Sequence, residues 1–265
     1  MVKVIVSGAK GRMGTCIVNA VAAAEDLKLV GCFDPHCAGQ VVSCADGDFA
    51  CSDDLGALID ATGADVVVDF TQPGAVLANV ECVLSHGAHA VVGTTGVARQ
   101  DMEALALKYA DKGGKLFFAP NFTTGAVLMM QFAKVAGKFF PDVEIVEMHH
   151  DGKKDAPSGT AVTTAHMIAE GRGGVRNAGP GSETEIAGCK GARGAEVDGV
   201  RIHAIRGDGY MASQEVILSA AGQTLTIRHD STLREAYMPG VLLAIRSVAS
   251  LQEPFTVGLE CLMGL

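Results

Sequence analysis

The sequence has no excess of basic residues. Among its 265 residues, 30 are Asp or Glu and 21 are Lys or Arg, which gives a formal net charge of −9 and a pI near 5.3. Nucleic acids and anionic membranes are bound through basic surfaces, so this balance argues against both as partners. An anionic ligand must therefore be held by a local group of cations or backbone N–H groups.

The cysteine patterns and long apolar runs of metal-binding, secreted and membrane proteins are also missing. The eight cysteines include no C-x-x-C pair, and no cluster of histidines lies near them, so we predict no bound metal. No run of 18 apolar residues occurs, and the apolar stretch at residues 1–6 is too short for a signal peptide. We therefore expect a cytoplasmic protein with reduced thiols and no membrane partner.

What is present is the pattern of a folded α/β protein. Hydrophobic residues make up 48% of the chain and charged residues 19%. In the first half, apolar segments at residues 2–6, 28–33, 65–70, 88–92 and 115–119 alternate with helix-like segments at 12–24, 75–85 and 100–112. This alternation predicts an N-terminal Rossmann-like, doubly wound parallel sheet with helices on both faces.

The pattern changes after residue 121. Helix-like segments at residues 125–138 and 161–170 accompany apolar segments at 143–148, 200–205, 214–219 and 224–228, which predict a mixed sheet. Residues 171–194 are rich in glycine and charge and predict a mobile loop, and the segment 231–251 predicts a helix from Pro239. We therefore predict a dinucleotide-binding domain at residues 1–121, on which residues 230–265 pack back, and a smaller α+β domain at 122–229.

A glycine-rich turn follows the first predicted strand and opens the first predicted helix. Its spacing, G-x-x-G-x-x-G at residues 8–14, lets the backbone approach a pyrophosphate at the helix N-terminus. Asp34 ends the second strand, 20 residues after Gly14, where a carboxylate binds ribose hydroxyls and favours NADH. Lys10 and Arg12 can partly neutralise a 2′-phosphate, so NADPH use stays open. The predicted cofactor-binding residues here are Gly8, Lys10, Gly11, Arg12, Met13, Gly14 and Asp34.

Three further strand ends carry small or polar residues. Ligands of open parallel sheets gather beyond the carboxyl ends of the strands, so we expect these segments to border the cofactor crevice. The segment at residues 93–96 has two glycines that allow close backbone approach, which makes it the better candidate for the nicotinamide. The further cofactor-binding candidates are Phe70, Thr71, Gly93, Thr94, Thr95, Ala119, Pro120, Asn121 and Phe122.

The densest group of reactive side chains lies at residues 147–160. His149 and His150 are followed by Lys153 and by a predicted helix start at Ser158, which is also a suitable N-cap. Adjacent residues of a strand point to opposite faces, so the two histidines are not expected to chelate one metal. Histidine, lysine and a helix N-terminus together predict a site that binds an anion and donates a proton.

These motifs, together with residues 223–230, resemble the 4-hydroxy-tetrahydrodipicolinate reductase family, also called dihydrodipicolinate reductases. The resemblance extends from the first strand to Pro239-Gly240, and its most specific part is the run E-x-H-H-x-x-K-x-D-x-P-S-G-T at residues 147–160. It implies NADH- or NADPH-dependent reduction of a small cyclic dicarboxylate in the diaminopimelate route to lysine. It also implies a homotetramer whose second domain binds substrate and forms the subunit interface.

The resemblance implies roles for individual residues. His149 is expected to donate the proton, Lys153 to support it electrostatically, and the substrate to bind at His150, Ser158, Gly159 and Thr160. Asp151-Gly152 departs from the basic or bulky residues common in the family, which affects the expected affinity for a carboxylate. Asp34-Pro35-His36 lacks the arginine that often follows the acidic residue in members using NADPH.

Two other functions stay open from the sequence. A different dehydrogenase of small amino or keto acids would share the first 120 residues without needing the run at 147–160. A non-catalytic dinucleotide sensor would keep the fold for binding alone. The presence of both His149 and Lys153 argues against the sensor.

Overall fold

The structure is a computed structural model that describes residues 1–174, 186 and 188–265. The chain divides into a first unit, Met1–Thr124 with Tyr237–Leu265, and a second unit, Gly125–Ala236. The strands are β1 (Val2–Ser7), β2 (Leu27–Phe33), β3 (Val41–Cys44), β4 (Gly47–Ser52), β5 (Val66–Asp69), β6 (His89–Val92), β7 (Leu116–Phe118), β8 (Asp142–His149), β9 (Ala195–Val197), β10 (Val200–Arg206), β11 (Ala212–Ala220), β12 (Gln223–Ser231) and β13 (Phe255–Val257). The α-helices are α1 (Arg12–Ala22), α2 (Leu55–Thr62), α3 (Pro73–Ser85), α4 (Arg99–Lys108), α5 (Thr124–Ala136), α6 (Gly159–Gly171), α7 (Met238–Ser247) and α8 (Glu260–Met263).

The first unit contains an eight-stranded sheet in the order β13-β7-β6-β5-β1-β2-β4-β3. Neighbouring strands are parallel except for β3 and β4, which form an antiparallel pair. From the central β1 the chain adds β2 on one side and later β5 on the other. The loops after β1 and β5 therefore border the crevice where the strand order reverses, which is the usual ligand site of such sheets.

Apolar residues on both faces of this sheet hold the helices in place. Val67 of β5 and Val76 and Met102 of the covering helices belong to one buried cluster, in which α2, α3 and α4 pack on one face. Helices α1 and α7 contact each other and the central strands. Nearly continuous apolar strands are typical of parallel sheets covered on both sides. The predicted doubly wound sheet is thus confirmed.

The C-terminal helix α7 packs in the first unit through close backbone contact. A Cβ atom on Gly240 would lie 2.0 Å from the carbonyl oxygen of Phe122, so only glycine fits. Arg246 of the same helix donates two hydrogen bonds to the carboxylate of Asp26, at 2.7 and 2.8 Å. These contacts explain why the last 29 residues, Tyr237–Leu265, belong with the N-terminal sheet.

The second unit contains a mixed five-stranded sheet in the order β12-β11-β8-β10-β9. Strands β8 and β10 are parallel, and the other neighbours are antiparallel. One face carries fully buried apolar side chains such as Ile145 and Val216. Helices α5 and α6 approach each other closely, since a Cβ on Gly171 would lie 2.5 Å from the carbonyl oxygen of Lys134. The mixed sheet agrees with the prediction.

Several elements were not predicted, namely α2, α8, β3, β4, β9 and β13. Half of the predicted mobile loop at residues 171–194, namely residues 175–185 and 187, lies outside the described residues. Across the part of the chain that the structure describes, no helix has the length and apolarity needed to cross a membrane.

Candidate active site

The glycine turn after β1 forms a cradle at the N-terminus of α1. Gly8 has a φ of +78°, a conformation that favours glycine, and the N–H of Gly11 donates to its carbonyl oxygen at 2.9 Å. A Cβ on Gly14 would lie 2.0 Å from that same oxygen, so the helix can approach the turn only with glycine there. Gly11 precedes α1 without a side-chain cap, which leaves the first turn suited to an anion.

A cavity of about 650 Å³ opens beside this cradle. Its size matches the range expected of small-molecule sites. The lining includes the predicted cofactor residues Gly8, Gly11, Arg12, Met13, Asp34, Phe70 and Thr71, together with Phe33, Pro35, His36, Gln72, Gly74, Ala75 and Asn79. The volume, the uncapped helix and the glycines that allow the backbone to come close fit a bound dinucleotide.

Asp34, which lines this cavity, and the nearby Lys10 both make hydrogen bonds within the protein. The Asp34 carboxylate accepts the backbone N–H of Lys10 at 3.2 Å, which ties the glycine turn to the end of β2. The Lys10 ammonium donates to the carbonyl oxygen of Val41 in β3, also at 3.2 Å. The Asp34 carboxylate and the Arg12 side chain are thus the charged groups that line the cavity, while the Lys10 cation is held against the hairpin.

A buried carboxylate that the sequence analysis did not single out organises the back of the crevice. Asp69 is 2% exposed. One carboxylate oxygen accepts the hydroxyls of Thr71 and Thr94, and the other accepts the hydroxyl of Ser7 and the amide of Asn79, all at 2.8 Å. Asp69 therefore fixes the ends of β1, β5 and β6 to one another and to α3.

The remaining predicted cofactor residues lie around this wall. A Cβ on Gly93 would overlap the Phe70 ring at 2.2 Å, and the Phe122 ring packs behind Phe70 with centroids 5.4 Å apart. Thr94 is buried against Asp69. Ala119 is buried, Thr95 and Pro120 are exposed, and the Asn121 side chain accepts the N–H of Thr123. Their contact with the cofactor stays a prediction.

In the second unit, His149 lies at the end of β8 and pairs with Glu147. Residues two apart on a strand share a face, and the two side chains meet with His149 Nδ1 and Glu147 Oε2 2.6 Å apart. An ionised carboxylate only accepts, so Nδ1 donates. The proton chemistry of His149 is therefore left to Nε2.

The Glu147 carboxylate, whose side chain is fully buried, has three further donors. Two come from Arg206, with Nη1 2.8 Å from Oε2 and Nη2 2.9 Å from Oε1. The backbone N–H of Ser158 donates to Oε1 at 3.1 Å. Glu147 thus connects the end of β8, the end of β10 and the start of α6.

Burial and charge act in opposite directions on this pair. Burial raises the pKa of Glu147, but the hydrogen bonds from Arg206 and His149 outweigh it and hold that pKa below its usual value. Burial lowers the pKa of His149 below its ordinary value of 6.5, and the neighbouring cations Lys153 and Arg206 add to that effect. The Glu147 hydrogen bond opposes the shift without cancelling it. A negatively charged ligand would raise the pKa of His149 again.

Lys153 and His150 lie in the turn that follows β8. The Lys153 ammonium contacts both oxygens of Asp155 at 2.8 and 2.9 Å, and this hydrogen bond lowers the pKa of Asp155. Asp155 is exposed, and exposed ion pairs contribute only about 0–1 kcal/mol, so the ammonium can exchange partners at little cost. His150 is exposed, and its carbonyl oxygen accepts the N–H of Lys153.

Ser158 caps α6, with its hydroxyl accepting the N–H of Ala161 at 3.2 Å. Gly159 and Thr160 form the first turn beyond it, where an added Cβ on Gly159 would meet no heavy atom within 4 Å. First-turn N–H groups lack partners within their own helix, which suits them to a carboxylate. Among the described residues, no three His, Cys, Asp or Glu side chains form a group that could hold a metal ion.

Glu147 and Arg206 were both missed as site residues. Glu147 could have been found, because it lies two positions before His149 on a predicted strand. Arg206 gives no such signal, since it is 59 residues from Glu147 and reaches it only through the parallel pairing of β10 with β8.

Comparison with known proteins now identifies the relatives. The family model described as dihydrodipicolinate reductase, N-terminus, matches residues 2–122, and that described as dihydrodipicolinate reductase, C-terminus, matches residues 125–263. The chain belongs to the dihydrodipicolinate reductase family. A 4-hydroxy-tetrahydrodipicolinate reductase from Listeria welshimeri is 47% identical over 97% of this chain and 98% of its own. One from Mycolicibacterium smegmatis is 45% identical over 99% of both chains.

Solved structures agree with this assignment. A dipicolinate-bound dihydrodipicolinate reductase from Paenisporosarcina sp. TG-14 has a TM-score of 0.86 and 37% identity, covering 98% of this chain and 99% of its own. An amine dehydrogenase from Mycobacterium smegmatis has a TM-score of 0.64 at 12% identity, covering 96% and 94%, and shows likeness of fold alone. The resemblance inferred from the sequence is confirmed, and with it the prediction of an NAD(P)H-dependent reductase.

Proposed function

We propose that this chain reduces 4-hydroxy-tetrahydrodipicolinate to tetrahydrodipicolinate with NADH or NADPH, in the diaminopimelate route to lysine, and that His149 donates the proton. The reductase activity follows from membership of the family across the whole chain. The observation that supports the role of His149 is its hydrogen bond to a buried, ionised Glu147, which leaves Nε2 for proton transfer. A positioned acid of this kind typically contributes ~10²–10⁴-fold.

The first unit supplies the cofactor site. Bound NAD(P)H supplies the hydride. The glycine turn and the N-terminus of α1 would hold the pyrophosphate, and Asp34 the ribose hydroxyls. Because the Lys10 ammonium is bonded to Val41, Arg12 in the cavity lining is the proposed cation for a 2′-phosphate, and both NADH and NADPH are candidate cofactors.

The second unit supplies the substrate site. The Paenisporosarcina relative binds dipicolinate, a planar cyclic dicarboxylate, and we extend that substrate class to this chain. His150, Ser158, Gly159 and Thr160 are the proposed carboxylate-binding residues, with backbone N–H groups at the first turn of α6. Lys153 exchanges Asp155 for the substrate and stabilises its negative charge. That negative charge also raises the pKa of His149 and favours its protonated form.

We propose a homotetramer assembled through the open face of the second sheet. Helix α6 packs against the face with Ile145 and Val216, while the opposite face carries partly exposed side chains such as Val146 and Ile217. A half-exposed sheet face with apolar residues is suited to a subunit interface. All eight cysteines are free thiols, which supports the cytoplasm as its compartment.

The decisive experiment follows oxidation of NADH and NADPH by absorbance, with substrate generated by a dihydrodipicolinate synthase from pyruvate and aspartate semialdehyde. We expect synthase-dependent oxidation, and the ratio of the two kcat/KM values will define cofactor preference. Binding of both cofactors without oxidation would favour a dinucleotide sensor instead.

The role of His149 is tested by His149→Gln. We expect turnover to fall by roughly 10²–10⁴-fold, because the acid is removed, while NADH affinity stays unchanged. The measurement is kcat alongside NADH binding by fluorescence. Unchanged turnover would remove His149 from the proton transfer while leaving the assignment of the reaction intact.

A further inference from the structure

The site of the second unit contains a carboxylate that the substrate does not need to touch. Glu147 has no exposed side-chain surface, yet it is ionised and accepts four hydrogen bonds, from His149, twice from Arg206 and from the Ser158 N–H. Burying a carboxylate costs several kcal/mol before its partners compensate, and an apolar core would avoid that cost. A fully satisfied buried network of this kind fixes the geometry of its members.

We propose that Glu147, held by Arg206, is a positioning residue that sets the tautomer of His149 and aligns it with the carboxylate-binding turn of α6. The inference rests on the proposed role of His149 and names two residues that act through it. Neither Glu147 nor Arg206 is assigned a contact with substrate or cofactor.

The two oxygens of Glu147 divide this task. Oε2 accepts His149 Nδ1 and thereby orients the proton donor, while Oε1 accepts the Ser158 N–H at the cap of α6. One rigid carboxylate thus sets the position of the acid relative to the anion-binding turn. A misplacement of about 1 Å between reacting groups can cost 10²-fold in rate, so this coupling matters for turnover.

Arg206 binds both the Glu147 carboxylate and the loop that connects β8 to α6. Its two Nη atoms each bond a different Glu147 oxygen, and Nη2 also donates to the carbonyl oxygen of Asp155 at 2.7 Å. Arginine suits this place because its planar fork matches both oxygens of a carboxylate at once. A lysine would keep the charge but lose the two-point contact.

Four charged groups surround His149 and decide the sign of any pH effect. Glu147 on β8 raises the pKa of His149, while Arg206 on β10 and Lys153 in the loop lower it. Asp155 faces the same group, because His149 contributes to the lowered pKa of Asp155. Removing the charge of Glu147 alone must therefore lower the pKa of His149 further.

The test is Glu147→Gln. An amide keeps one acceptor oxygen, so its NH₂ group faces either His149 Nδ1 and Arg206 Nη1, or the Ser158 N–H and Arg206 Nη2. The glutamine therefore cannot accept Nδ1–H and the Ser158 N–H at the same time, and in both orientations its NH₂ group opposes one N–H of Arg206. We expect kcat to fall by roughly 10²–10⁴-fold, as when the carboxylate that orients a catalytic histidine is replaced by its amide. We also expect weaker binding of dipicolinate, measured by calorimetry, because one amide oxygen cannot hold both His149 and the Ser158 cap in place.

Two readouts separate positioning from general loss of structure. Proton donation requires protonated His149, so log kcat/KM should fall as the pH rises above the pKa of His149. We call this descending part of the pH profile the pH limb. In Glu147→Gln the pKa of His149 is lower, so the pH limb should move to lower pH. Nitrogen-15 NMR of neutral His149, assigned with His149→Gln, should show the proton on Nδ1 in the native protein. In the variant it should shift towards Nε2.

Arg206→Lys and Asp198→Asn complete the design. Arg206→Lys keeps the charge and the Glu147 carboxylate, so we expect lower kcat with the pH limb nearly unmoved and the proton still on Nδ1. If Glu147→Gln does not fold, an unchanged kcat in Arg206→Lys would overturn the proposal. Asp198→Asn is the matched control, because His166 Nδ1 and Asp198 Oδ2 form an exposed pair at 2.7 Å in the same unit, outside the site. We expect it to behave as the native protein.

Unchanged pH limb and tautomer in folded Glu147→Gln, or equal losses in Asp198→Asn, would overturn the proposal. These results are distinct from unchanged turnover in His149→Gln, which would remove His149 from the proton transfer. They are also distinct from failure of the proposed reaction, which would appear as no synthase-dependent oxidation by the native chain.

Discussion

Gly159 illustrates how a single residue can matter to a ligand without mattering to the fold. It begins α6, is exposed, and has open space where a Cβ would lie. Gly159→Ala should therefore leave the thermal midpoint unchanged, since nothing in the folded chain is displaced. The methyl group would occupy the space proposed for the substrate carboxylate, so we expect dipicolinate affinity to fall about 10-fold, measured by calorimetry.

Gly209→Ala is the control for the added methyl group itself, because that group also meets no heavy atom within 4 Å and lies in the turn between β10 and β11 rather than in α6. We expect native affinity and a native thermal midpoint. Native dipicolinate affinity in Gly159→Ala would move the carboxylate away from the first turn of α6.

For single residues, whether a contact can be predicted from the sequence depends on how far apart its two residues lie along the chain. The i, i+2 spacing of Glu147 and His149 on a strand is readable from the sequence, and so is the cap at Ser158. The Arg206 contact depends on the register of β10 against β8, which no local pattern specifies. Asp69 likewise gains its four side-chain donors from β1, α3 and two loops only when the sheet forms.

At the scale of elements, the approach of α1 to the glycine turn depends on Gly14. Its added Cβ would lie 2.0 Å from the Gly8 carbonyl oxygen, a backbone atom that can move only with the turn itself. Gly14→Ala should destabilise the protein by about 1–3 kcal/mol in urea unfolding and weaken NADH binding. In Gly56→Ala, at the first turn of α2, the added methyl group meets side-chain atoms, the His86 ring at 3.1 Å and the Asp54 carboxylate at 3.6 Å, so the change should be nearly neutral. Similar losses in both variants would contradict a specific role for Gly14.

The helices and strands that the sequence analysis missed differ in how clear their sequence signals are. Helix α2 has readable signals, since Asp54 caps it through the Ala57 N–H at 3.0 Å and Gly63 ends it with a φ of +58°. The β3–β4 hairpin is largely exposed and has little hydrophobic alternation. Strand β13 has only three residues, and it is defined by its parallel pairing with β7. Periodicity therefore identifies buried, long elements and overlooks short edge strands.

At the scale of the whole molecule, strand and helix alternation was enough to predict the doubly wound class. It did not specify which contacts bring Tyr237–Leu265 to the N-terminal sheet, because these depend on Gly240 meeting the Phe122 backbone and on the Arg246–Asp26 ion pair. Such pairings join residues that are more than a hundred positions apart. They follow from tertiary packing rather than from any local pattern.

Assembly is tested through the open face of the second sheet. We expect sedimentation equilibrium to give about 109 kDa, four chains of 27.3 kDa. Ile217→Asp introduces a charge on this face, and an unpaired charge buried in an interface is strongly unfavourable, so the mass should fall towards that of dimers or single chains at micromolar concentration. Leu107→Asp, at a position 61% exposed on α4 of the first unit, makes the same chemical change away from the sheet and should keep the native mass. An intact tetramer in Ile217→Asp would place the subunit interface on another surface, because an interface built on this face cannot enclose an unpaired carboxylate without losing affinity.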